Sequence, residues 1–153
     1  MDAAVARAMA KWPNVPAVYG WLGLDRRGNW RLKGQTISNT ALREFIGRNY
    51  QPDEKGRWYF QNGPQRVYVA LAYTPLVAHY QGDALFDHCG RSLRMNGAYV
   101  DDEGSVLISG GEGIALLDDR DLARIADAAA AFPVLKRSEI EGRFGFVREP
   151  APG

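Results

Sequence analysis

The chain repeats one short pattern: an acidic residue, two intervening residues, a glycine, then large apolar residues in alternation. It reads Asp25-Arg26-Arg27-Gly28-Asn29-Trp30-Arg31-Leu32, then Asp53-Glu54-Lys55-Gly56-Arg57-Trp58-Tyr59-Phe60. It returns as Asp101-Asp102-Glu103-Gly104-Ser105-Val106-Leu107-Ile108 and as Glu139-Ile140-Glu141-Gly142-Arg143-Phe144-Gly145-Phe146. An acidic side chain heading a turn accepts backbone amides, and glycine supplies the positive φ that closes it. Turns of this kind join antiparallel strands through a glycine bulge.

A helix signal lies between the members of each pair of copies. In the first half Ser38 is a good N-cap, with Ile37 and Leu42 spaced as a hydrophobic staple. Leu42, Phe45 and Ile46 then share one helical face, and Gly47 closes it. In the second half Asp118 is the cap, Leu117 and Leu122 form the staple, and Ile125, Ala126, Ala129 and Phe132 continue the face to Pro133. The predicted fold is α+β: two duplicated hairpin–helix–hairpin units, mainly antiparallel, with an N-terminal helix over residues 2–11. The boundaries predicted are 1–18 for that helix and an extended lead-in, 19–80 and 81–148 for the two repeats, and 149–153 for a disordered tail rich in Pro and Gly.

Strands fill the remaining segments. Tyr19–Leu24 precedes the first turn, and Asn62-Gly63 signals another hairpin. The nearly all-apolar run Val67–Tyr73 reads as a strand covered on both faces. Leu76–Tyr80 is a further short strand. Glu139–Val147 is expected to form the last hairpin.

Nothing in the 153 residues reads as a membrane span, because no run of 18 or more apolar residues occurs. The start of the chain carries neither a basic nor a long apolar leader, and one cysteine cannot make an internal disulfide. These features point to a bacterial cytoplasmic protein with no membrane partner. Charge is uneven: residues 1–75 hold 11 Lys/Arg and 5 Asp/Glu, whereas residues 76–153 hold 8 and 13. The basic first half is therefore the natural place to look for an anionic ligand.

The stretch Trp21–Tyr80 resembles an uncharacterised proteobacterial family of domains of unknown function. The resemblance rests on Asp25-x-x-Gly28-x-Trp30, Gly34, Ile37, Leu42, Phe45 and Asp53-x-x-Gly56-x-Trp58-x-Phe60. It implies an α+β fold with repeated motifs and a role in signalling or ligand binding, and it supplies no catalytic residue.

Three groups of residues could carry chemistry. His79, His88 and Cys89 could form a thiol–imidazole pair for a small hydrolase or transferase. Adjacent side chains on a strand diverge, however, so His88 and Cys89 should point apart. A zinc site there would also need Asp83 or Asp87, and no metal or other cofactor is expected. The acidic clusters Asp101–Glu103 and Asp118–Asp121 lack calcium-loop spacing, and Gly110-Gly111-x-Gly113 opens no helix. The densest surface runs from Gly56 to Arg66. There Arg57, Tyr59, Gln61, Arg66 and Tyr68 could bind a small anion or a protein, or stack and neutralise single-stranded nucleic acid. A sequence pI near 7.9 disfavours the nucleic acid. The expectation is a non-enzymatic ligand- or protein-binding, regulatory module, with a homo-oligomer compatible with the sequence.

Overall fold

Asp-x-x-Gly turns form with a single hydrogen-bond pattern in the computed structural model, which describes all residues from Met1 to Gly153. At Asp53 the carboxylate Oδ1 accepts the amides of Lys55 and Arg57, while the Asp53 amide donates to the Arg57 carbonyl. Asp101 repeats this with Glu103 and Ser105. Asp25 holds the amide of Asn29 in the same way. Gly28, Gly56 and Gly104 take φ of 82°, 79° and 85°, the left-handed region where only glycine is unstrained.

A fourth such turn exists, but at a different place. Asp87 Oδ1 accepts the amides of Cys89 and Arg91, and Gly90 has φ 85°. The expected copy at Glu139 is instead helical, inside Arg137–Phe144, and the helix ends at left-handed Gly145. The reason is reach. An aspartate oxygen meets amides two and four residues ahead, and the longer glutamate side chain does not reproduce that geometry. Ile140 and Phe144, four apart, then sit on one helical face, and Ile140 is fully buried.

The chain divides into two units. The first comprises Met1–Asp25, Asn29–Ala72 and Phe146–Gly153, and the second Arg26–Gly28 and Tyr73–Gly145. The division thus falls before, not after, the strand Leu76–Gln81. In the first unit α1 (Ala3–Lys11) precedes a meander of β1 (Val18–Leu24), β2 (Trp30–Leu32) and β3 (Gln35–Thr36). Then come α2 (Thr40–Arg48) and a second meander of β4 (Tyr50–Pro52), β5 (Trp58–Asn62) and β6 (Gln65–Leu71). The sheet order is β3-β2-β1-β6-β5-β4, with β1 and β6 parallel.

The second unit repeats the plan with β7 (Leu76–Gln81), β8 (Ala84–Asp87) and β9 (Ser92–Leu93), then β10 (Gly97–Asp101), β11 (Val106–Ser109) and β12 (Ala115–Leu117). Its order, β9-β8-β7-β12-β11-β10, with β7 and β12 parallel, is that of the first sheet. The two sheets are thus duplicated in topology. The helices are not: only residues 94–96 separate the two meanders here, and α3 (Leu122–Ala129) follows β12 instead of dividing them. Short β13 (Val134–Leu135) then adds beside β10, and α4 (Arg137–Phe144) closes the unit.

Asp118 accepts the Arg120 amide and caps the 3₁₀ turn Asp119–Asp121, whereas α3 itself begins behind Asp121, which makes no side-chain cap bond, so the expected cap lies one short turn upstream of the helix. The α2 cap is Asn39, not Ser38: the Asn39 Oδ1 accepts the Leu42 amide at 2.9 Å. Gly47 lies within α2, which ends at Arg48 with Asn49 as its cap. Each core is built on strands whose consecutive side chains are buried, as in β5, β7, β11 and β12. Leu22, Trp30, Phe60 and Val69 are buried in the first unit, and Val77, Leu107, Ile108 and Leu117 in the second. The tail is not free: Leu71 donates to the Arg148 carbonyl, Val147 to the Gly56 carbonyl, and Arg57 Nη1 to the Ala151 carbonyl.

Candidate functional site

The residues singled out on β5 and β6 are brought together, mostly by burial. Tyr59 and Tyr68 face each other across β5–β6, and both are buried. Arg57 Nε donates to Asp53 Oδ2 at 2.8 Å, and Tyr68 Oη donates to the same oxygen at 2.9 Å. Both Arg57 and Arg66 donate to Tyr68 Oη, and the Arg66 guanidinium stacks on Tyr59 at 4.2 Å. Burial alone would raise the Asp53 pKa. The bonds from the Arg57 amide, Tyr68, the Arg57 side chain and the Lys55 amide outweigh it and hold the carboxyl below its ordinary value.

The second unit builds a matching lock. Tyr73 Oη donates to Asp101 Oδ2 at 2.8 Å, with Arg26 and Arg137 over its ring at 5.0 and 5.2 Å. Burial first, then the Asp101 bond, push the Tyr73 pKa well up. An aspartate turn closed by a tyrosine between two arginines, present in both units, is a device for holding the fold. Tyr59 and Tyr68 are enclosed within it and present no open face on which a base could stack.

His88 and Cys89 do meet, because they lie in the Asp87 turn and not on a strand. The Cys89 Sγ is 3.7 Å from His88 Nε2, while His88 Nδ1 accepts the Val77 amide. His79 sits on β7 opposite Phe86. Burial, then the Asp87 carboxylate, push the Cys89 thiol well up, which keeps it protonated, the reverse of what a nucleophile needs. No three His, Cys, Asp or Glu side chains are grouped so as to hold a metal ion.

The first unit also holds a pocket that no local sequence pattern announces. Between α2 and the first sheet lies an open cavity of about 500 Å³, lined by Trp21, Leu22, Leu32, Leu42, Phe60 and Val67, among others. Its walls are almost wholly apolar, with Asn62 and Gln65 as polar members. Two local features shape it. Phe45 of α2 packs edge-on to Phe60 at 5.5 Å, which seats the helix on β5. In β1 the register with β6 shifts between Val18 and Leu22, and Gly20 takes φ 78°. This bulge brings Trp21 to the pocket, where it stays 51% exposed, with Lys33 Nζ 4.1 Å from its ring. Leu32 and Leu42 are similarly exposed. The signal in the sequence was Trp21 beside Gly20 and Gly23, which alternation alone assigned to a strand face.

Residues 1–133 match the family DUF2944, described as a protein of unknown function (DUF2946). The chain belongs to that family. No curated protein matches it. Among solved structures it is similar to a DUF1285 family protein from Silicibacter pomeroyi DSS-3, at 19% identity and TM-score 0.56, covering 83% of this chain and 84% of that one. A DUF1285 family protein from Shewanella baltica OS155 is similar at 12% identity and TM-score 0.53, covering 69% and 90%. At these identities the likeness concerns the fold. The α+β reading and the resemblance to an uncharacterised family both stand. No helix is long and apolar enough to cross a membrane.

Proposed function

We propose that the protein is a non-enzymatic binding module, cytoplasmic and regulatory in setting, whose first unit takes an apolar small molecule between α2 and the sheet. The observation that carries this reading is the pocket itself. Its volume and apolar lining suit a compact organic ligand. Three large apolar side chains, Trp21, Leu32 and Leu42, remain exposed around it, although burying any of them would favour folding. The Gly20 bulge aims Trp21 into the pocket and not into the core, a local irregularity of the kind that re-aims side chains at functional sites. Asn62 and Gln65 can orient one polar group of the ligand.

The test uses the apolar fluorophore N-phenyl-1-naphthylamine. Its emission should rise on mixing with the protein. Leu42→Arg, at an exposed helix position, should weaken binding by about tenfold or more, equivalent to about 1.4 kcal/mol, while the circular dichroism spectrum stays unchanged. An emission that never rises, or that rises equally with Leu42→Arg, ends this reading.

A further inference from the structure

The opposite face of the first sheet carries a second concavity. Phe60 and Val67 point to the apolar pocket, so their neighbours Gln61 and Arg66 point the other way. They line a space of about 330 Å³ together with Pro64 and with Met9, Trp12 and Val15 of the N-terminal segment.

The N-terminal wall is held in place. Arg48 Nε pairs with Asp2 at 3.1 Å, the Asp2 amide donates to Asn49 Oδ1, and Val5 is buried. Beyond the helix, Gln65 Nε2 donates to the Pro16 carbonyl. Trp12 nonetheless remains 57% exposed at the edge of the concavity.

The sheet wall holds an acceptor and a cation whose bonding is incomplete. Gln61 is buried, and its Nε2 donates to the Gly63 carbonyl, but its Oε1 receives no hydrogen bond. A buried acceptor left without a donor is costly, and native structures rarely keep one without a reason. Gln61 and Arg66 are register partners on β5–β6, so the two side chains lie side by side. The Arg66 guanidinium donates to Tyr68 Oη through Nη1 at 3.3 Å and stacks on Tyr59. The nearby Asp53 carboxylate is bonded instead by Arg57 and Tyr68. Arg66 therefore carries a full charge with donor capacity to spare on an aromatic support, and a guanidinium is the side chain best matched to a carboxylate.

We propose that this concavity is a second ligand site, for a small organic carboxylate bearing a flat apolar body and an N–H or O–H donor. Arg66 takes the carboxylate, the donor group pairs with Gln61 Oε1 once that buried amide turns toward the concavity, and the apolar body packs against Trp12, Met9 and Val15. The site is separate from the apolar pocket and stands or falls without it.

The probe is N-acetyl-L-phenylalaninate, which carries an aromatic ring, an amide N–H and a carboxylate, titrated calorimetrically at low ionic strength against its uncharged methyl ester. The acid should bind, and the ester should bind about tenfold or more weakly. Arg66→Gln should lower affinity by a similar factor. Because Arg66 also supports Tyr59 and Tyr68, Trp12→Ala provides the variant that leaves the fold intact, and it too should lower affinity about tenfold. Leu42→Arg, on the other face, should bind the acid as the wild type does. The proposal is overturned by absence of binding up to about 10 mM, a concentration that already reports interactions weaker than 4 kcal/mol. Equal affinity for acid and ester overturns it, as does full affinity in Trp12→Ala.

Discussion

Asp53 and Asp87 head the same kind of turn, yet their surroundings treat their charges oppositely. Asp53 gains Arg57 and Tyr68 as partners, and its carboxyl is held below the ordinary value. Asp87 is buried, and that burial outweighs its amide bonds and the nearby Arg91, so its carboxyl is raised. The consequences for stability have opposite sign. A lowered folded pKa gives stabilisation that is complete above the unfolded value near 3.9 and is lost as pH falls through the folded one. A raised folded pKa gives a contribution present in acid and lost as pH rises through it. Asp53→Asn should therefore cost about 1.5–3 kcal/mol at pH 7, the range for hydrogen bonds to a charged group, and the difference should shrink in strong acid. Asp87→Asn keeps an oxygen for the Cys89 and Arg91 amides and sheds a buried charge, so it should be neutral or stabilising at pH 7. Urea denaturation of both variants at pH 7 and pH 3 measures this contrast.

At the scale of elements, the α2 cap separates two adjacent residues of similar capping propensity. Asn39→Ala should cost about 1 kcal/mol, the usual loss for an N-cap, whereas Ser38→Ala should leave the denaturation midpoint unchanged. Both residues satisfy the sequence rule. Only the entry angle of the chain after β3 decides which side chain reaches the Leu42 amide. The same logic governs the repeated turn. Three aspartate copies were legible because the turn chemistry spans five consecutive residues. The copy at Asp87 is masked in the sequence because Ser92 stands where the other copies carry Trp30, Trp58 and Val106, which breaks the apolar alternation. The glutamate copy failed because one extra methylene removes the geometry. Of the five residues expected to bind on β5 and β6, Arg57, Tyr59 and Tyr68 sit in a network that locks the fold. Gln61 and Arg66 reach a concavity whose other wall, at Met9, Trp12 and Val15, is remote in sequence.

At the scale of the whole molecule, the duplication lies in the sheets. Two meanders joined through a parallel central pair make each unit, and the helices are placed differently around them. The last residues belong to the first unit: Phe146 is buried there, and Arg148 Nη2 donates to the Ala72 carbonyl at 2.6 Å. Deleting residues 146–153 should therefore destabilise the first unit by about 3 kcal/mol or more, the loss typical of emptying one buried aromatic site. Deleting only 152–153 should have no effect on thermal unfolding. Differential scanning calorimetry of the two truncations distinguishes a structural strap from a free tail.

The α+β class, the turns at Asp25, Asp53 and Asp101, and most strand positions followed from the amino-acid sequence alone. Each depends on residues within about five positions of one another, where side-chain reach and φ preference act locally. The parallel pairing of β1 with β6 and β7 with β12, the opposite fates of the turn aspartates, the contact between His88 and Cys89 and both concavities were decided only in the tertiary structure. Each depends on burial and on distances between segments far apart in the chain, and no local preference encodes these.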